Sequence, residues 1–136
     1  MELELKGIKQ LFNTLDRLQA ISVLEEPMQR AVLRLENRMK IYPPQRTGST
    51  YIRGYGFPGR PTSERLGQSW TTVVRRIHDG VEGEVGNNTS YGPRVQSKRL
   101  QANVHKGRWQ TDEDVMAQEE RAIVQDFEKS IQDAIG

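Results

Sequence analysis

The residues that could do chemistry in this chain are few and scattered. His78 stands beside Asp79, His105 lies in a basic stretch, and Ser69 and Ser97 are the serines a nucleophilic mechanism could use. No nucleophile-elbow sequence surrounds either serine. Two lone histidines without metal-ligand spacing read as surface or hydrogen-bonding residues rather than zinc ligands, and the chain has no cysteine to complete such a site. Gly54, Gly56 and Gly59 imitate a phosphate loop only loosely. They lack both the strand–turn–helix setting and the Gly-Lys-Ser/Thr ending that give such a loop its lysine and its metal-bound hydroxyl. The acidic residues near the C-terminus are expected on a solvated helix face, without a carboxylate pair. No cofactor and no metal is implied, and the expectation is a protein that is not an enzyme.

Positive charge is the stronger signal. Arg94, Lys98, Arg99, Lys106 and Arg108 fall within fifteen residues that contain no acid, flanked by Tyr91 and Trp109. Such mixtures can neutralise phosphates and stack on bases, so a small nucleic-acid-binding module is one reading. A toxin-like ribonuclease is another, with His105 and Arg108 cast as its acid/base and phosphate-binding groups. Against the nuclease stands the long aromatic stretch before Trp70, for which a compact enzyme has no evident use. A third reading sets the basic residues against carboxylates of a neighbouring subunit. Residues 1–41 carry seven basic and six acidic side chains, 42–108 carry eleven and four, and 109–136 carry two and eight. A basic middle meeting the acidic C-terminal helix of the next copy is a head-to-tail contact, the kind that closes a ring.

These residues sit on elements that the pattern of apolar positions defines. At 136 residues the chain is read as one domain, 1–136. Its mean hydropathy of −0.75 is polar for a globular protein and suggests that some exposed surface is interface. No apolar run approaches the ~20 residues of a membrane span and no signal-peptide pattern opens the chain, so it reads as soluble and unexported. Alternation at Leu3 and Leu5 suggests a short edge strand. Ile8, Leu11, Phe12, Leu15 and Leu18 then share one helix face. A second helix is expected to start near Pro27, whose fixed φ suits a first turn, with the stripe Met28, Ala31, Val32, Leu35 and Met39; Pro43-Pro44 stops it. Gln68–Ile77 and Val81–Val85 read as a central hairpin turning at Asp79-Gly80. Thr111 caps a last helix whose stripe is Met116, Ile123, Phe127, Ile131 and Ala134. The order β-α-α-loop-β-β-loop-α gives an α+β class: a small antiparallel sheet with a central hairpin, two N-terminal helices, one C-terminal helix, and two long loops, about 42–66 and 91–110.

The loops also carry a resemblance. Pro44, Thr47, Gly48, Leu66, Ser69 and Trp70, followed by Tyr91, Val95, Gln96, His105, Gly107, Arg108 and Trp109, resemble two elements of the small head–tail joining (neck or tail-completion) proteins of long-tailed phages. In that family a P-x-x-TG-x-L-x-x-SW element follows an N-terminal helical region, and a YA-x-x-VQ…H-x-GRW element precedes a C-terminal helix. This chain separates Thr47-Gly48 from Leu66 by a longer stretch and follows Tyr91 with Gly92-Pro93. The resemblance implies a bacteriophage virion protein assembled in the host cytoplasm, a ring-forming homo-oligomer that contacts the connector or adaptor on one side and the tail-tube or tail-terminator protein on the other. DNA passing through the ring lumen is a further possible partner, and no membrane is involved. The partner-binding candidates are Arg46, Tyr51, Arg53, Tyr55, Phe57, Arg60, Arg94, Lys98, Arg99, His105, Lys106 and Arg108. Trp70 is expected under the sheet and Trp109 as an anchor of the second loop on the last helix. Loops rich in glycine and poor in aliphatic anchors are expected to order only against a partner.

Overall fold

The computed structural model describes residues 3–41, 69–87, 96–101, 106 and 109–136. Its elements are α1 (Ile8–Thr14), α2 (Arg17–Met39), β1 (Trp70–Ile77), β2 (Gly80–Asn87) and α3 (Asp112–Ile135). Three helices and a two-stranded antiparallel sheet make the α+β class. The expected loops 42–66 and 91–110 fall mostly outside the described residues.

Two helix boundaries differ from the sequence reading. The first helix stops at Thr14, because Leu15 turns extended and Asp16 caps a new helix. The Asp16 carboxylate accepts the Gln19 backbone N–H at 2.9 Å while the Gln19 side chain accepts the Asp16 N–H, a reciprocal capping box that satisfies two orphan donors. That start outweighs Pro27, which is buried inside α2 and not at its first turn. Proline cannot donate to the carbonyl four residues back, yet the helix continues because its apolar stripe, from Ala20 through Met39, is buried along its length. Leu18, placed on the first stripe by sequence, is 60% exposed.

Among the described residues the expected N-terminal strand does not form. Residues 3–5 make no strand pairing, but Leu3 and Leu5 pack against the core, and the Lys6 backbone N–H donates to Glu128 at 2.7 Å. The alternation marks a segment with Leu3 and Leu5 half-buried and Glu4 exposed rather than a sheet edge. Gly7 follows with φ of 84°, a left-handed conformation, and a Cβ there would lie 3.2 Å from Ile131. That combination explains a glycine at the entry to α1.

The core lies between α1, α2 and α3, where Leu11, Ala20, Leu24, Ala31, Ile123, Phe127 and Ile131 form one buried cluster. Thr111 caps α3 by accepting the Asp114 N–H at 3.2 Å, as expected. Its buried stripe is Val115, Glu119, Ile123, Phe127 and Ile131; Met116 is only half-buried and Ala134 is exposed.

The hairpin pairs Val74 with Gly83 and Thr72 with Val85. Ile77 pairs with Gly80, so His78 and Asp79 form the turn, one residue before the expected Asp79-Gly80. Arg17 holds that turn, its Nη1 donating to the His78 carbonyl at 2.7 Å and lying 2.9 Å from His78 Nδ1. The sheet's inner face lies on α2 at close range. A Cβ on Gly83 would come within 2.6 Å of both Met28 Sδ and Val32 Cγ1, so only glycine lets the strand approach this near. Arg76 completes the contact by donating to Glu25 and to Ser22 Oγ.

Candidate partner interface

The polar contacts fix the directions of α2, α3 and the hairpin relative to one another. The hairpin turn lies beside the N-terminal half of α2, through Arg17–His78 and Arg76–Glu25, and Gly83 lies beside Met28 and Val32 further along. The open end of the hairpin, where Trp70 pairs with Asn87, therefore points toward the C-terminus of α2. The third helix runs antiparallel to α2: Asp126 accepts from Arg30 at 2.8 Å and 3.1 Å, and Glu119 accepts from Arg34 and Arg38. Its first turn lies at the same end as the open hairpin. Ile41, Ser69, Asn87, Gln96 and Thr111, between which the basic and aromatic segments run, are thus gathered at one end of the molecule.

That end is organised by amides. Gln96, 2% exposed, donates from Nε2 to the Met39 carbonyl at 2.9 Å. Gln110 donates to the Arg38 carbonyl at 3.3 Å, while Arg38 Nη2 donates back to Gln110 Oε1 at 2.7 Å and also reaches Gln118. The Gln96 contact satisfies a carbonyl that the end of α2 would otherwise leave orphaned, while the Arg38 carbonyl also accepts the Ile41 N–H at 3.3 Å. Gln101 Nε2 donates to the Trp109 carbonyl at 3.3 Å and closes the second loop at its base. Sequence reasoning quoted Gln96 only as part of a motif and missed Gln110, Arg38 and Glu119. The available signal was the spacing of Arg30, Arg34 and Arg38 by four, one cationic stripe along α2.

The acidic helix is thus not simply solvated. Glu119 is 8% exposed. Hydrogen bonds from Arg34 and then Arg38 hold its carboxyl below the ordinary value of 4.5. Asp126 in turn raises Arg30. Lys98 belongs to the same chain-internal pattern: its backbone N–H donates to Asp112 at 3.2 Å and its ammonium lies 3.4 Å from Asp114. The Asp114 carboxyl is lowered, first by its hydrogen bond with Thr111 and then by Lys98. A good part of the acidic charge of α3 is therefore matched within the chain, by α2 and by the base of the second loop.

Of the twelve partner-binding candidates, the structure places three. Lys98, Arg99 and Lys106 are exposed, with Leu100, 58% exposed, next to Arg99. Arg46, Tyr51, Arg53, Tyr55, Phe57, Arg60, Arg94, His105 and Arg108 lie outside the described residues. Trp70 is half-buried at the start of β1 rather than fully covered, and Trp109 is half-buried just before α3. His78 sits at the turn end, opposite Ser69 and Ser97, so the structure does not bring these groups together as a nucleophile and base. Among the described residues no cluster of three or more His, Cys, Asp or Glu side chains could hold a metal ion, and no helix is long and apolar enough to cross a membrane. No family model, no curated protein and no solved structure matches this chain.

Proposed function

We propose that this chain is a phage or prophage structural protein that completes the head–tail junction, acting by assembly rather than catalysis and forming a ring through one charged end. The observation that carries the reading is the gathering of chain ends at one end of the molecule. The stretch between Ile41 and Ser69 holds Arg46, Arg53, Arg60 and Arg65 against the single acid Glu64. The stretch from Asn88 to Arg108 holds Arg94, Lys98, Arg99, Lys106 and Arg108 with no acid. Both are tethered where α2 ends and α3 begins. The helical body, whose own charges are cross-linked between α2 and α3, acts as a rigid wedge that presents this end. The positions of the motif residues also suit the head–tail joining resemblance: Ser69-Trp70 opens the hairpin, Gln96 seals α2 and Trp109 leads into α3.

A nucleic-acid-binding module is the second reading, and one observation favours it. Since Arg30, Arg34 and Lys98 already engage Asp126, Glu119 and Asp114, a neighbour's α3 has less free acidic surface to offer the basic end. A phosphate backbone would supply the missing counter-charge. Purified protein separates the two readings. Mass measurement and negative-stain imaging should show a ring or a connector-bound assembly that weakens with salt. Reversing Arg94, Arg99 and Lys106 to Glu, with Lys98 kept to preserve its contact with α3, should abolish that assembly without changing the helical signal. A parent that stays monomeric and instead binds duplex DNA, with a salt slope that the triple variant makes shallower, would favour the second reading.

A further inference from the structure

The hairpin is built with one strand nearer the core than the other. The nearer strand is β2: its Gly83 lies on Met28 and Val32, and its Val81 packs with Leu3 and Leu5 against the buried cluster, which no described β1 side chain joins. Among the described residues no strand pairs with the other edge of β1. The turn decides which backbone groups line that edge. A two-residue turn, His78-Asp79, requires the pair that closes it, Ile77 with Gly80, to be hydrogen-bonded, and hydrogen-bonded and open pairs then alternate along the ladder. Arg75, Val73 and Thr71 thus bond to β2, while Trp70, Thr72, Val74 and Arg76 turn their N–H and C=O groups toward the free edge.

Edges that stay unpaired are guarded by prolines, bulges or free charges, which stop another strand from adding to the sheet. The sequence of β1, WTTVVRRI, has no proline, and its register with β2 runs from Trp70 to Ile77 without a bulge. Its two arginines are engaged within the chain, Arg75 by Glu84 at 2.7 Å and Arg76 by Glu25 and Ser22. On the outer face Val73 is 45% and Ile77 41% exposed, apolar side chains that gain from being covered.

We propose that β1 pairs antiparallel with β1 of a second copy about a two-fold axis at Val73, joining two hairpins into one four-stranded sheet. Such a contact is isologous, the same strand serving both copies. Charge and burial select the register. An axis at Arg75 sets two guanidinium groups directly opposite, which is unfavourable, and an axis at Val74 leaves Val73 against Arg75. An axis at Val73 sets Arg75 of one copy against Thr71 of the other, and Thr72 against Val74, and it covers Val73 with its own counterpart. Because Val73 bonds to β2, the two valines form an open pair, whose Cα atoms lie about 4.5 Å apart. The strands run in opposite directions, so the charged ends of the two copies point away from each other and stay free. The pairing therefore neither uses nor depends on the assembly proposed for that end.

The chain has no cysteine, so an engineered thiol is an unambiguous reporter. Thr71, Val73 and Arg75, all exposed, are replaced by Cys one at a time in the full chain carrying Arg94/Arg99/Lys106→Glu. Salt at about 1 M, with that background, removes the contacts of the charged end. Under mild oxidation Val73→Cys should give a disulfide-linked dimer on a non-reducing gel. Thr71→Cys and Arg75→Cys should each stay monomeric, because each thiol lies roughly 13–14 Å from its counterpart, beyond the ~7 Å that a disulfide spans between Cα atoms. Mixed together, these two variants should cross-link to each other. Equal rates at all three positions would mean random collision and overturn the proposal, as would a Val73→Cys chain that does not cross-link. A readout without thiols is sedimentation of the same background, which should show a monomer–dimer equilibrium that Val73→Lys moves to monomer with the helical signal unchanged. Monomer at every concentration, or a dimer indifferent to Val73→Lys, would contradict the paired edge.

Discussion

Glu119 shows most directly how one side chain connects this fold to its charge pattern. Its two oxygens accept from Arg34 and Arg38, two basic residues of the facing helix, and it is nearly covered. Glu119→Gln should destabilise the protein by about 1–3 kcal/mol, because the substitution weakens bonds to two cations that cannot lose their charge. The pH dependence has a definite sign. A carboxyl whose folded-state pKa is depressed contributes stability that is fully present above the unfolded value, and this is lost as pH falls through the lower, folded value. Denaturant midpoints should therefore fall from about pH 4.5 downward in the parent and change less in Glu119→Gln. Equal slopes in the two proteins would remove Glu119 from the account. Phe127, 2% exposed, should cost about 3–5 kcal/mol as Phe127→Ala, and Trp70→Ala should cost less since Trp70 is half-buried. Thermal melts decide the ranking, and a larger loss at Trp70 would reverse it.

At the scale of elements, the docking of the hairpin on α2 depends on Gly83. A valine there would force its branched Cβ into Met28 and into Val32, the stiffer of the two, and the overpacking should cost about 1–3 kcal/mol. Hydrogen exchange should show β1 and β2 losing protection before α3 in Gly83→Val; protection lost equally everywhere would mean the hairpin is not a separable unit. The hairpin was legible because valine alternation and a turn pair are local signals, though the turn settled one residue early where Arg17 holds His78. The α3 cap was legible for the same reason, Thr111 and Asp114 being three residues apart. What was not legible depended on distance in the sequence. Pro27 read as a helix start until the Asp16 capping box and a continuous buried stripe carried α2 through it. The burial of Glu119 needed arginines more than eighty residues away, and the role of Gln96 needed the carbonyl of Met39. No local pattern encodes such contacts. Of the candidate partner residues, the basic cluster was legible in composition, while the tethering of its segments at one end follows only from the directions of α2, α3 and the hairpin.

The whole molecule is asymmetric: its helices are tied by Arg30, Arg34 and Arg38, and two stretches of net basic sequence are tethered at one end. On the proposed reading this end would associate through screened electrostatics, so assembly should weaken steadily as the Debye length contracts from ~10 Å at 0.1 M salt to ~3 Å at 1 M. Light scattering across that range reads the effect, and assembly indifferent to salt would assign the contact to apolar surface instead. The most direct measurement is deletion of this reading frame from the genome that encodes it, followed by electron microscopy of the particles produced. The account predicts filled heads and finished tails that accumulate separately and are joined when the purified protein is added back, but not when its Arg94/Arg99/Lys106→Glu variant is. Complete, infectious particles at the parental yield in the deletion would contradict a role at the head–tail junction.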